Sequence, residues 1–283
     1  IQKANLNVLV DPNNGAGAIA DPLLLDHLGV RYTILNGEPN GIFSHDSEPL
    51  EKNLSDTMNT MKNGDFDIGF VQDADADRLV ILDETGRFIG EDYSLALSVD
   101  YVLSKAQNPK KVVVNLSTSK VIEYLTNKHH ATLTYTKIGE TNVTQGIKDH
   151  KATVGGEGNG GVIFPKVGWG RDSLVGIMLA LSYLAESKQK VSEIVQSYPQ
   201  YTLLREKCAV SNREEIATLL GKVREHYKNH PMNTEDGVKI SFENAWIHIR
   251  PSNTEPIVRI FIESESSRQN QAYLQEVKQV CGV

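Results

Sequence analysis

From residue 6 to residue 187, short apolar runs alternate with stretches of helical spacing. This is the pattern of βαβ units built around a mostly parallel sheet. Residues 6–11 read as a buried strand ending in Asp11-Pro12-Asn13-Asn14-Gly15-Ala16-Gly17, and apolar spacing predicts a helix over about 18–28 and a strand over 32–35. A helix over about 48–61, a strand over 67–71 and a strand over 79–82 follow, the last turning at Thr85-Gly86. The pattern then restarts. Helical spacing covers 93–104, a β-branched run 112–115, a helix 120–128 and a strand 132–136. A glycine-rich flexible loop spans 155–161 and is closed by a strand over 162–164; residues 173–187 have the spacing of a well-buried helix, with Asp172 as its cap.

From about residue 201 the order changes to a strand, a long helix over 213–228, three close strands at 238–241, 245–249 and 257–263, and a last helix. Closely spaced strands flanked by helices indicate an α+β unit. The expected fold class is therefore α/β: two consecutive α/β mixed-sheet domains, at 1–88 and 89–198, followed by a smaller α+β C-terminal domain at 199–283. The first two domains share their length and element order, which points to an internal repeat without an obvious residue-level match.

Composition narrows the function classes. The 283 residues are 40% hydrophobic and 23% charged, with a formal net charge of −7. An acidic chain with no long Lys/Arg cluster argues against a nucleic-acid or anionic-membrane surface. No apolar run approaches the ~18 residues that a membrane-spanning helix needs. The two cysteines, Cys208 and Cys281, make no disulfide framework, so a reducing cytoplasm is the expected setting.

Three loops carry chemistry. Asp73-Ala74-Asp75-Ala76-Asp77-Arg78 places three carboxylates at alternate positions, which repel unless the chain turns them onto a cation; hard divalent ions take such oxygen ligands. A solvated acidic turn is the plain alternative. An EF-hand is excluded, because Arg78 stands where that loop needs glycine and its flanks read as strands. In Gly155-Gly156-Glu157-Gly158-Asn159-Gly160-Gly161, Glu157 and Asn159 suit sugar hydroxyls, while a flexible hairpin remains open; a dinucleotide loop is excluded because a strand, not a helix, follows. In Arg250-Pro251-Ser252-Asn253-Thr254-Glu255-Pro256, Arg250 offers a planar fork to a phosphate, and Ser252, Asn253 and Thr254 add hydroxyl, amide and backbone donors. An ordinary polar hairpin turn is its alternative.

Taken together and in this order, the three loops resemble those of the α-D-phosphohexomutase family, which includes phosphoglucomutases, phosphomannomutases and phosphoglucosamine mutases. The opening Val10-Asp11-Pro-Asn-Asn-Gly15-Ala-Gly17 and the segment Gly41-Ile-Phe-Ser-His45-Asp-Ser-Glu-Pro49 also fit the family's second domain. The resemblance covers essentially the whole chain and implies domains two, three and four of a four-domain enzyme. The first domain, which carries a phosphorylated serine, is then missing, and a chain opening at Ile1 directly before a strand reads as cut from something longer.

The resemblance implies that Asp73, Asp75 and Asp77 hold Mg²⁺ and that Arg78 supports the transferred phosphate. Glu157 and Asn159 would read sugar hydroxyls, and Arg250, Ser252, Asn253 and Thr254 would grip the unreactive phosphate of a hexose or hexosamine phosphate. Two departures stand out. Glu140, in Lys137-Ile138-Gly139-Glu140, occupies a position where the family often has histidine, and Asn159 and Gly161 replace the more usual Ser and His. Glu140 and Lys137 are thus the candidates for general acid/base work. Arg171 before Asp172 adds a possible cleft cation. The expected activity is a phosphohexose mutase, with this portion alone inactive and a slight lean to glucosamine phosphate. The alternative is a sugar-phosphate binding protein without catalysis; a phosphatase with an aspartate nucleophile is disfavoured, because nothing separates the roles of the three acids.

Overall fold

The computed structural model describes residues 1–210, 213–252 and 257–282. The chain forms two compact units, one of residues 1–135 with 139–199 and the other of residues 136–138 with 200–283. The first contains two four-stranded sheets. Strands β1 (Asn7–Asp11), β2 (Arg31–Ile34), β3 (Ile68–Gln72) and β4 (Leu79–Leu82) alternate with helices α1 (Gly17–Leu28) and α2 (Ser55–Asn63). Their order is β2-β1-β3-β4, with β1 parallel to β2 and β3 and with β4 antiparallel to β3. Every residue of the inner strand β3 and of the edge strand β4 is buried, as expected of strands covered on both faces.

The second sheet follows α3 (Glu91–Lys105). It comprises β5 (Lys111–Asn115), α4 (Val121–Lys128), β6 (Thr132–Thr136), α5 (Glu140–His150), β7 (Val154–Glu157) and β8 (Gly161–Ile163), then α6 (Ser173–Ser187) and α7 (Val191–Gln196). Its order, β6-β5-β7-β8, repeats that of the first sheet, again with an antiparallel final hairpin. The repeat suggested by element order is therefore real at the level of topology. Helix α3 joins the two sheets, packing on β4, β7, β8, α4 and α6. It is buried almost all round, and it carries buried polar side chains, some of them paired with neighbouring elements. Asp100, for example, accepts hydrogen bonds from Lys128 Nζ at 3.1 Å, Tyr183 at 2.7 Å and Tyr198 at 2.8 Å.

Three details of the first unit differ from the sequence reading. The helix expected from residue 48 begins at Ser55, because Glu48 precedes Pro49 and Leu50 is extended. Helices α5 and α7 went unrecognised; α5 buries only Val143, Gly146 and Ile147, too few apolar positions to stand out. The glycine-rich segment is a turn, outside the strands, only at residues 158–160. Gly155 and Gly156 lie in β7, where a Cβ would come within 2.3 Å of the Val113 and Gly161 carbonyl oxygens respectively. Their missing side chains serve close strand packing.

The C-terminal unit is a five-stranded antiparallel sheet. Strand β9 (Thr202–Ala209) and α8 (Arg213–His226) precede β10 (Met232–Asn233), β11 (Val238–Ser241), β12 (Trp246–Pro251), β13 (Ile257–Ser264) and α9 (Ser267–Cys281), in the order β10-β11-β12-β13-β9. Alternate residues of β11, β12 and β13, including Ile240, Ile247, Ile249, Val258 and Ile260, form a core with Val223 and Val277 from the two helices. Both cysteines are buried and unpaired. Among the described residues no helix is long and apolar enough to cross a membrane.

Candidate active site

The acidic loop is the tip of the β3–β4 hairpin. Asp73 is 3% exposed, and its Oδ1 accepts from the backbone N–H groups of Asp77 and Arg78, both at 3.0 Å. That turn places Ala76 at φ +58, a left-handed conformation uncommon for a residue with a Cβ. Neighbours clamp the backbone. Ala16 N–H donates to the Ala74 carbonyl at 2.9 Å, and Ser173 donates to the Ala76 carbonyl from its hydroxyl at 2.6 Å and its N–H at 3.2 Å. The result is convergence: Asp73, Asp75 and Asp77 each offer an oxygen, and the three oxygens lie within 4.8 Å of one another. Burial pushes the Asp73 carboxyl up to about 7, and the nearby Asp77 and Asp75 charges push it the same way. Such a set of acids lacks only positive charge, and it fits a hard divalent cation. Arg78 supplies part of that charge, its Nε lying 3.3 Å from Asp73 and 3.7 Å from Asp77, with Nη1 3.6 Å from Glu48.

The glycine-rich tip of the β7–β8 hairpin occupies the equivalent position in the second sheet, and the two tips meet. Leu79 N–H donates to the Gly160 carbonyl at 3.2 Å. Gly160 sits at φ +86, and a Cβ there would come 2.3 Å from the Leu79 carbonyl oxygen. Glu157 is 3% exposed and held on three sides: Oε1 accepts from Asn115 Nδ2 at 2.8 Å and Gly139 N–H at 3.0 Å, and Oε2 from Arg171 Nη1 at 2.8 Å. Oε2 keeps one lone pair beyond the bond to Arg171. Asn159 is half-buried, with Oδ1 accepting from Gly161 N–H at 3.3 Å.

Arg171 is the residue whose importance the sequence understated. It precedes Asp172, the cap of α6, which accepts from Val175 N–H at 3.1 Å. Its guanidinium donates to Asp77 as well as to Glu157, and its Nε lies 3.9 Å from Glu140. Burial opposes its charge, but Asp77, Glu157 and Glu140 outweigh that and strengthen its hold on the proton. Glu140, in the first turn of α5, is half-buried and accepts the Arg171 N–H at 2.8 Å through Oε1. The first unit therefore brings Asp73, Asp75, Asp77, Arg78, Glu140, Glu157 and Arg171 into one cluster of interacting charges.

The C-terminal unit holds the third loop. Arg250, near the end of β12, directs Nε to Asp236 Oδ1 at 3.4 Å, and Asp236 Oδ2 accepts from Ile138 N–H at 3.1 Å. Lys137, beside Ile138, is exposed. Ser252 N–H donates to the Ile257 carbonyl at 2.9 Å; Asn253 and Thr254 lie outside the described residues. In register beside Arg250 stands Arg259 of β13, followed by Lys207 of β9. Like charges side by side on adjacent strands repel, and the sequence reading did not identify this row because its members are scattered along the chain.

Residues 1–86, 90–201 and 206–280 match, in turn, alpha/beta/alpha domain II, alpha/beta/alpha domain III and the C-terminal domain of the phosphoglucomutase/phosphomannomutase models. A phosphoglucomutase/phosphomannomutase of Thermococcus kodakarensis is 36% identical over 97% of this chain and 60% of its own length. A phosphoglucosamine/phosphogalactosamine mutase of Sulfurisphaera tokodaii is 32% identical over 99% of this chain and 62% of its own. The Aspergillus fumigatus N-acetylphosphoglucosamine mutase, solved with GlcNAc-6P and magnesium, superposes with a TM-score of 0.70 at 16% identity, covering 97% of this chain and 65% of that one. The chain thus spans about 60% of the length of the curated relatives it matches. With three successive domain models matched and both α/β sheets and the antiparallel sheet accounted for, the chain belongs to the phosphoglucomutase/phosphomannomutase family.

Proposed function

We propose that this chain supplies the metal, sugar and distal-phosphate sites of a magnesium-dependent phosphohexose mutase. Such an enzyme moves phosphate between the 1 and 6 positions of a hexose or hexosamine through a phosphoserine and a bisphosphate intermediate. The observation that carries the reading is the convergence of Asp73, Asp75 and Asp77 at a hairpin tip tied by Arg171 to Glu157. The relatives' names support the reaction class, and the fungal structure with GlcNAc-6P and magnesium supports the ligands.

When bound, Mg²⁺ would neutralise charge on the phosphoryl group in transit. The chain's own residues do the rest. Asp73, Asp75 and Asp77 hold the cation, and Arg78 supports the moving phosphate. Glu157, through its remaining lone pair, and Asn159 take sugar hydroxyls. Arg250, with Ser252, Asn253 and Thr254, grips the phosphate that is not reacting. As the phosphoserine P–O bond breaks and a P–O bond to the sugar forms, the sugar hydroxyl gives its proton to a base. Glu140 or Lys137 would fill that role, since the histidine common at position 140 is replaced. None of these residues is the phosphoserine of that scheme, so this chain by itself is expected to bind sugar phosphate without turning it over.

The test is a ³¹P NMR titration of glucosamine, glucose and mannose 1- and 6-phosphates with Mg²⁺ and a trace of hexose bisphosphate. Shifted signals without interconversion are expected. Interconversion would place the nucleophile within these residues, and unshifted signals for every sugar would sink the reading.

A further inference from the structure

A buried chain of polar side chains lies behind the acidic loop and joins three elements. Asp21 in α1 is 0% exposed, and its Oδ1 accepts from Gln72 Nε2 at 3.0 Å. Gln72 is also 0% exposed; it ends β3 and immediately precedes Asp73. The same Nε2 donates to Ser173 Oγ at 2.8 Å, and the Ser173 hydroxyl donates onward to the Ala76 carbonyl at 2.6 Å. The chain thus ends on the residue at φ +58 that turns the acidic loop back on itself.

Two acceptors on this chain, Asp21 Oδ2 and Gln72 Oε1, are buried without a hydrogen-bond partner. Both lie beside Gly17: a Cβ built there would come 3.0 Å from Asp21 Oδ2 and 1.9 Å from Gln72 Oε1. Orphaned buried acceptors are costly. A proton on Asp21 Oδ2 would turn one of these acceptors into a donor for the other. Burial pushes the Asp21 carboxyl up to about 7, in keeping with that proton.

We propose that Asp21, Gln72 and Ser173 are positioning residues for the acidic loop, holding Ala76 in its left-handed conformation and so keeping Asp73, Asp75 and Asp77 converged. Mutual repulsion of the three carboxylates favours spreading them apart. The buried chain works against that repulsion from behind, where no ligand reaches. The inference rests on the loop being a metal site, and its test separates the two ideas.

The test uses the whole 283-residue chain. Mn²⁺ affinity is measured by calorimetry, and hydrogen exchange is followed at the Asp77 and Arg78 amides, which donate to Asp73 Oδ1. Ser173→Ala and Asp21→Ala should each weaken Mn²⁺ binding by about fivefold to tenfold, the effect of one lost buried hydrogen bond, and should speed exchange at both amides. Asp21→Asn keeps an acceptor and places an amide donor at the Oδ2 position, so it should bind Mn²⁺ within about twofold of the parent. The inference is overturned if Ser173→Ala and Asp21→Ala lower the melting temperature yet leave both Mn²⁺ affinity and amide exchange unchanged. Ser173→Ala deletes a single buried oxygen and decides the matter even where Asp21→Ala does not fold. If the parent chain binds no Mn²⁺, the metal reading fails, while amide exchange still decides the positioning role.

Discussion

Arg171 Nη1 lies 2.8 Å from Glu157 Oε2, and the same guanidinium pairs with Asp77. One side chain therefore ties the tips of two hairpins that occupy equivalent places in two sheets of identical strand order. The acidic loop and the glycine-rich loop are coupled electrostatically, and any charge that displaces Arg171 from Asp77 is felt at Glu157.

Removing Arg171 should be costly. Glu157 is 3% exposed, and without its counter-ion it becomes a buried, unpaired charge. Arg171→Ala should lower stability by about 3 kcal/mol, the scale of breaking a buried pair from one side. Adding Glu157→Gln should restore part of that loss, because the orphaned charge goes with it. Urea unfolding of the two single variants and the double variant checks this; an additive double variant would show that the pair is not coupled.

Asp75→Asn removes one anionic ligand from the converged triad while preserving shape. Mg²⁺ affinity, read by calorimetry, should fall by roughly tenfold or more, since carboxylate count sets the affinity of oxygen-ligand sites. Unchanged affinity would remove the triad from the metal site.

Gly160→Ala tests the junction between the hairpins. The new methyl would meet the Leu79 carbonyl oxygen at 2.3 Å, and the backbone is at φ +86. Left-handed strain alone costs about 1–3 kcal/mol, and the clash adds to it. Thermal unfolding should show a clear loss, whereas a melting temperature equal to the parent's would mean that the two tips separate freely.

His248 should make stability depend on pH. It is 0% exposed, with Nε2 donating to the Asp236 carbonyl, and burial pushes its pKa down to about 4. As pH falls below about 6.5, the unfolded chain takes up a proton that the native imidazole refuses. Stability is therefore present above that pH and is lost on acidification toward 4, by about 1.4 kcal/mol per pH unit from this residue. His248→Gln keeps a donor and should flatten the dependence in urea titrations run between pH 7 and pH 5. Parallel profiles for variant and parent would contradict the assignment.

Arg250→Ala should weaken binding of a hexose phosphate by about 1.5–3 kcal/mol, the worth of a hydrogen bond to a charged group. The ³¹P shift titration measures it directly. The same affinity in the variant would exclude Arg250 from the phosphate site.

The alternating acids of the 73–77 loop, the strand at Leu79–Leu82, the helix at Ser173–Ser187 and its Asp172 cap could all be read from the amino-acid order. Each depends on spacing between near neighbours, and near neighbours express the local backbone period directly. Helix α5 escaped notice because only Val143, Gly146 and Ile147 of its residues are buried, leaving a weak periodic signal. The glycine run misled for the opposite reason, since at Gly155 and Gly156 the absence of a side chain answers a packing demand made by Val113 and Gly161.

By itself, then, the sequence determined the class of fold, most of its elements and the loops that are candidates for chemistry. The tertiary structure alone decided that Arg171 reaches Asp77 across 94 positions, and that Gln72 reaches Ser173 across 101. No local pattern encodes such pairs. They exist because α3 packs the two sheets into one unit, bringing the hairpin tips and the start of α6 within hydrogen-bonding distance.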